Sequence, residues 1–531
     1  MKDTCLYFNG KIFTSNSSKT YANAMVVEDG KLKWVGDIED LDYKVDKKVD
    51  LNGKRVLPGL VDSHMHPLIL SEFEVQIASL PPNVYSIKDI VQKVSEKRKL
   101  QGKDKWIQGW GFDEGKLEEK RTPNRWDLDK GASDVPVVIT RTCVHIISVN
   151  SKALEIAGID KYTPNPPGGE IDRDENGEPT GILRENAKAL VLRHLPQQTT
   201  DYSADLLCNL SNKLLSHGIT TVAEAWANLK PTDYYDIYIR AREKGYKQRT
   251  GIYYDWEDLK EKQILPRGSK NHNDPIFIGG IKVIGDGSVS GQTAWVSEPY
   301  LGDGKTYGFP VTQREDLIKA GEFAKKNNLQ LVVHAMGDKT IDLVVDTFYK
   351  DANWISDAPS VKIEHAAMPT DRAIKKAVDS GISFNIQPIF LYAEIESYLK
   401  NLGAERTKET YPVKKVLDAG VKVAFSSDAP ATAWYDPSNP FVGLKSAVTR
   451  RAYDGTDLGE DQRIDITTAI KLYTKMGAEL MGVSNIGELS PGYYADFIVL
   501  DKDILEVQPE EIDQIVVDET YINGELVYKR F

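Results

Sequence analysis

Residues 56–66 read VLPGLVDSHMH, an apolar run that stops at two histidines, His64 and His66. Side chains at i and i+2 face the same side of a strand, so two imidazoles here can approach one metal ion from a strand end. Working outward, seven more short apolar runs follow: GITTVAEAW (218–226), QRTGIYYD (248–255), IFIGGIKVIGDGS (276–288), LQLVVHAMGD (329–338), SVKIEHAAM (360–368), GISFNIQP (381–388) and GVKVAFSSDAP (420–430). Several come after amphipathic stretches such as EDLIKAGEFAKKNN (315–328) and DRAIKKAVDSG (371–381), whose apolar residues recur at three and four. Eight strands with intervening helices predict an α/β fold, a (β/α)8 TIM-like barrel. One gap breaks the rhythm, because about 150 residues separate Pro67 from Gly218. They carry their own helices (86–99, 203–216) and strand (135–142), so a folded α+β insert is expected over 70–215 rather than a structureless loop.

The two ends of the chain are alike in kind. CLYFNGKIFTS (5–15) and AMVVEDGKLKWVG (24–36) are strand–turn–strand patterns about Asn9-Gly10 and Asp29-Gly30, and DFIVLDKDI (496–504) precedes a third about Asn523-Gly524. Such dipeptides favour the positive-φ turns of tight hairpins. A composite β-sandwich from 1–57 with 486–531 is expected, with the barrel and its insert over 58–485.

Composition narrows the class. With 67 Lys and Arg against 79 Asp and Glu, the net charge of −12 argues against nucleic acid and anionic membrane as partners. Cys5, Cys143 and Cys208 are too few and too scattered for a disulfide framework or a cysteine zinc cluster. The first sixteen residues lack a continuous apolar segment, and a cytoplasmic location is expected. A homo-oligomer is compatible with the sequence, which sets no particular assembly.

Beyond His64 and His66, three runs end in polar groups of metal-binding type: His334, His365 and Asp428. Functional groups gather at the strand ends of barrels, and these nitrogen and oxygen donors suit zinc or a similar divalent ion. HMH on the first strand, single histidines on the fifth and sixth, and Asp on the eighth resemble the amidohydrolase superfamily of metal-dependent hydrolases. The closing segment IGELSPGYYADFIVLD (486–501) is similar to the return of those enzymes from barrel to sandwich. GWGFDEGK (109–116), RTCVHIISVNSKAL (141–154), GEPTGILREN (177–186) and IKVIGDGSVSGQTA (281–294) further resemble the YtcJ-like subgroup, amidohydrolase family 3, which includes N-substituted formamide deformylase.

The resemblance implies a ligand set of His64, His66, Lys282, His334, His365 and Asp428 for one or two zinc ions, with Lys282 carboxylated into a bridging carbamate. Residue type alone favours Lys282 pairing with Asp286 or another carboxylate near the barrel mouth instead. Asp428 would also be the catalytic proton acceptor and donor. The implied reaction is hydrolysis of a carbon–nitrogen bond in an N-acyl or N-formyl small molecule. The insert is expected to cap the barrel mouth and choose the substrate, with His145, Asn150, Trp110 and Asp113 as contacts and Glu185 ranked below them. His194, His217 and His272 receive no chemistry. Deamination of a heterocycle is a competing reading, but enzymes of that kind typically place a glutamate soon after the fifth-strand histidine and lack the lysine; here His334 is followed by Ala-Met-Gly-Asp338, so Asp338 would have to substitute from a different offset, and Lys282 is present. Lactone or phosphotriester hydrolysis would use the same centre. A non-catalytic scaffold would have lost ligands, and here all are present.

Overall fold

The computed structural model describes residues 4–530, apart from Tyr43, Asp104, Asp303 and Tyr435. The eight apolar runs form one parallel sheet: β1 (Leu60–Met65), β2 (Ile219–Ala227), β3 (Arg249–Asp255), β4 (Ile276–Ile284), β5 (Gln330–Ala335), β6 (Val361–His365), β7 (Ser383–Ile386) and β8 (Val423–Phe425). Each pairs with the next in chain order. The two edges meet where Asp428 N donates to His64 O at 2.8 Å and Ser63 Oγ to Phe425 O at 3.3 Å. The result is a TIM-like barrel. Its strands are buried along almost their whole length because both faces are covered, one by barrel interior and one by helices. The helix Asp371–Ser380 shows how: Thr370 caps its start, Gly381 ends it at φ 69°, and Ala373, Ile374 and Ala377 are its buried stripe.

Two smaller sheets bring the chain ends together. One has four strands, all within Thr4–Asp50. The other has six and pairs Arg55–Pro58 with Phe497–Leu500, antiparallel. Their shared core takes residues from both ends: Tyr7, Met25 and Val56 pack with Phe497, Val499 and Tyr521. Asn9, Asp29 and Asn523 adopt the left-handed conformation at φ 53–56°, as the turn dipeptides require.

The chain divides into two compact units. One holds the barrel and these sheets; the other is Leu68–Thr199 with Ala429–Pro437. The second unit has its own six-stranded sheet and two apolar clusters, centred on Ile90, Val94 and Val137 and on Val149, Leu154 and Leu183. It ends at Thr199, not at 215. The helix Thr200–Ser216 buries Leu207, Leu210 and Leu214 and packs within the barrel unit against the helix Tyr234–Lys244 and β2.

Candidate metal centre

Three side chains converge at one end of the barrel. Asp428 Oδ1 lies 3.1 Å from His64 Nε2 and 3.0 Å from His66 Nε2, with His64 and Asp428 buried. In a tetrahedral site with ligands about 2.0–2.1 Å from the ion, neighbouring donor atoms are roughly 3.3 Å apart, so these separations fit a divalent cation. Asp428 Oδ1 makes no well-angled hydrogen bond despite its two close nitrogens. Donor atoms that crowd one point without satisfying each other suit a cation at that point. His64, His66 and Asp428 are the group whose chemistry and spacing pass this test among the described residues.

His365 and His334 continue the cluster. The His365 ring stands 5.1 Å from that of His64 and 4.4 Å from that of His334, and His365 Nδ1 lies 3.9 Å from Asp428 Oδ2. Lys282 is buried on β4. Burial disfavours its ammonium, the charge on Lys362 adds to this, and Glu364 and Asp428 only partly offset them, leaving a pKa of about 8. No carboxylate stands within ion-pair distance of it among the described residues. Asp286, its expected partner, instead accepts from the backbone N–H groups of Trp295, Met336 and Gly337 at 2.9–3.0 Å. A neutral amine is the form that reacts with CO2, and this environment raises its share above that of an exposed lysine.

The ring orientations are set from behind. Glu364 Oε2 lies 2.6 Å from His64 Nδ1, Gln387 Oε1 2.7 Å from His365 Nδ1, and the Gly287 carbonyl 3.1 Å from His334 Nε2. Glu224 Oε1 faces His66 Nδ1 at 3.8 Å, and its other oxygen accepts from Tyr238 at 2.8 Å. Carboxylates and carbonyls behind metal-binding imidazoles fix which nitrogen faces the ion. Burial disfavours a charged His66, but Asp428 and Glu224 outweigh it and raise the pKa to about 9. A cation held at this point would take the place of that proton. Burial likewise opposes charge on His365, and that ring stays neutral with a pKa of about 3. Asp428 is held well below the usual carboxylate range; His64 and His66 overcome the burial penalty.

Glu364, Glu224 and Gln387 stand behind the cluster without a sequence signal to single them out, as does Asp62, whose Oδ1 accepts from Ser427 N and ties β1 to the β8 end. Strand alternation sends Glu364 and His365 to opposite faces. His365 leaves the strand with φ 73°, and Asp428 has φ 56°, so the alternation lapses where both point inward. Left-handed non-glycine residues at strand ends are a mark of functional sites.

The insert candidates lie in the other unit. Asn150 requires correction: it is fully buried, accepts from Val137 N and Ala153 N, and donates to the Ala132 and Val135 carbonyls. Both donors and both acceptor positions are used on the unit's own backbone, so it is a helix cap and not a substrate contact. Trp110 stacks on Phe73 at 5.0 Å in an apolar cluster. Asp113 accepts from Gly115 N and faces Arg141 at 3.5 Å. His145 differs, because its ring is 32% exposed and its Nδ1 is 2.8 Å from Glu185 Oε2. Asp338 bonds Ser297, away from the histidines. His194, His217 and His272 sit outside the cluster, bonding Arg193, Ser438 and Gly482. No helix among the described residues is long and apolar enough to cross a membrane.

Comparison with known proteins gives the same outline. The Amidohydrolase family profile matches residues 47–528, nearly the whole chain. The chain belongs to the amidohydrolase family. It is 30% identical to the putative amidohydrolase YtcJ of Bacillus subtilis over 99% of both chains. It is 26% identical to N-substituted formamide deformylase of Arthrobacter pascens, covering 100% of this chain and 99% of that one. The crystal structure of an uncharacterized metal-dependent hydrolase from Pyrococcus horikoshii superposes with a TM-score of 0.77 at 28% identity, covering 96% of this chain and 99% of that one. This family member is a metal-dependent hydrolase.

Proposed function

We propose that the protein hydrolyses a carbon–nitrogen bond in an N-acyl or N-formyl small molecule, with zinc held by His64, His66 and Asp428 and a second ion by His334 and His365. Lys282, carboxylated on its buried amine, would bridge the two. The observation that carries this reading is the convergence of two imidazoles and one carboxylate on a single point, in a barrel that also buries that amine. The full-length similarity to a formamide deformylase supports the bond type. A bound divalent ion lowers the pKa of water from 15.7 to about 7 and polarises a carbonyl oxygen.

The chain's own residues do the rest. Asp428, ionised at neutral pH, accepts the proton of the attacking water and returns it to the leaving nitrogen. Glu364 and Gln387 keep the His64 and His365 rings oriented through the cycle. In the same reading the two sheets from the chain ends form a β-sandwich. His145, held on Nδ1 by Glu185, would use its other nitrogen for a substrate carbonyl.

A panel of N-formyl, N-acyl and cyclic amides, offered to zinc-reconstituted protein, tests the bond type. Turnover of N-formyl or N-acyl amides is expected. Silence on all amides with turnover of esters or organophosphates would overturn it.

A further inference from the structure

One of the buried charges that the mechanism leaves unused stands next to the residues behind the centre. Lys362 lies on β6 with 1% of its side chain exposed, two residues before Glu364 and therefore on the same, inward side of the strand. Its Nζ is 3.4 Å from Glu364 Oε1 and 4.8 Å above the Tyr253 ring. The tyrosine is fixed in turn, since its hydroxyl donates to Gln330 Oε1 at 2.9 Å. Glu364 is fully buried, and its two oxygens have separate tasks. Oε2 meets His64 Nδ1 at 2.6 Å; Oε1 has no hydrogen bond among the described residues and lies 3.4 Å from the Lys362 ammonium. Removing one partner of a buried ion pair strands the other charge, which then reorients or recruits water.

We infer that Lys362 is a positioning residue of the metal centre: it anchors Glu364 across the barrel interior so that Oε2 stays on His64 Nδ1 and the opposite nitrogen, Nε2, faces Asp428. The line runs from Tyr253 on β3 through Lys362 and Glu364 on β6 to His64 on β1, so one side chain couples three strands to one ligand. Lys362 touches neither substrate nor any proposed ligand. Its contact with the ligand set runs through Glu364, which gives it a signature that general support of the barrel lacks.

This inference rests on the zinc reading above, and the test separates the two. Zinc affinity is measured by competition with a chromogenic chelator for the wild type, K362M, E364Q and K362M/E364Q, with folding checked by circular dichroism. Wild type that binds no zinc overturns the metal reading, and the inference with it. Given wild-type binding, K362M is expected to lose about 10–100-fold in affinity, as for other partners behind a metal ligand. E364Q should lose a similar factor, and the double variant no more than E364Q. A folded K362M with wild-type affinity, or losses that multiply in the double variant, would overturn the role of Lys362. Should K362M fail to fold, the comparison of K362M/E364Q with E364Q still decides, because that pair buries no stranded carboxylate. Equal affinities support the anchoring role, and a further tenfold loss contradicts it.

Discussion

Asp428 carries two roles that one substitution can separate. Its carboxylate is both a donor atom at the centre and the group proposed to move the proton. Asp428→Asn keeps an oxygen donor and removes the base, so kcat/KM is expected to fall by about 10²–10⁴-fold. Full activity with normal metal content would remove Asp428 from proton transfer. At this scale the sequence was legible wherever a spacing rule held. His64 and His66 share a face because the side-chain period of a strand is two. Glu364 was illegible for the converse reason, since the positive φ at His365 breaks that period. Asn150 misled because a buried polar residue in a motif looks functional until its four hydrogen bonds are traced to the backbone of its own unit.

Among elements, the strands that carry ligands depend on the loops that leave them. Gly337 follows β5 and gives its N–H to Asp286, and a Cβ there would stand 2.0 Å from the Trp295 carbonyl oxygen. The neighbour is backbone and cannot rotate away. Gly337→Ala should therefore destabilise by about 1–3 kcal/mol, as overpacking does, measured by denaturant melts. Unchanged stability would mean that this loop yields freely. The chain ends are joined by a second device, the forked pair of Arg55 with Asp503 at 2.7 and 2.8 Å. Burial opposes charge on Asp503, but Arg55 and Lys11 outweigh it and hold its pKa at about 2. A carboxylate with a lowered pKa contributes stability above its ordinary value near 4, and that contribution is lost as pH falls toward 2. Arg55→Met should cost about 3 kcal/mol at pH 7 and start acid unfolding at a higher pH, followed by circular dichroism. An acid profile that superimposes on the wild type would deny the pair its role. Paired hairpins at both ends were visible from their turn dipeptides, but no local rule announces an arginine of residue 55 meeting an aspartate of residue 503.

For the whole molecule, the barrel was readable because eight apolar runs alternate with amphipathic stretches. The boundary of the separate unit was not, since the helix Thr200–Ser216 has the same amphipathic pattern whichever body it packs on. Metal binding should be felt through the barrel unit as a rise in thermal stability. A ligand present at 100 times its dissociation constant adds about 2.7 kcal/mol if only the folded chain binds it. Added zinc should raise the melting temperature and a chelator lower it, and both shifts should vanish in H64A/H66A. Shifts that persist in that variant would place the ion elsewhere. The most direct measurement of the central claim is elemental analysis of purified protein after chelation and repletion, wild type beside H64A/H66A. The wild type should retain one to two equivalents of zinc per chain and the double variant should lose at least one of them; equal metal in the two proteins, or none in either, would contradict a hydrolytic centre built on these histidines.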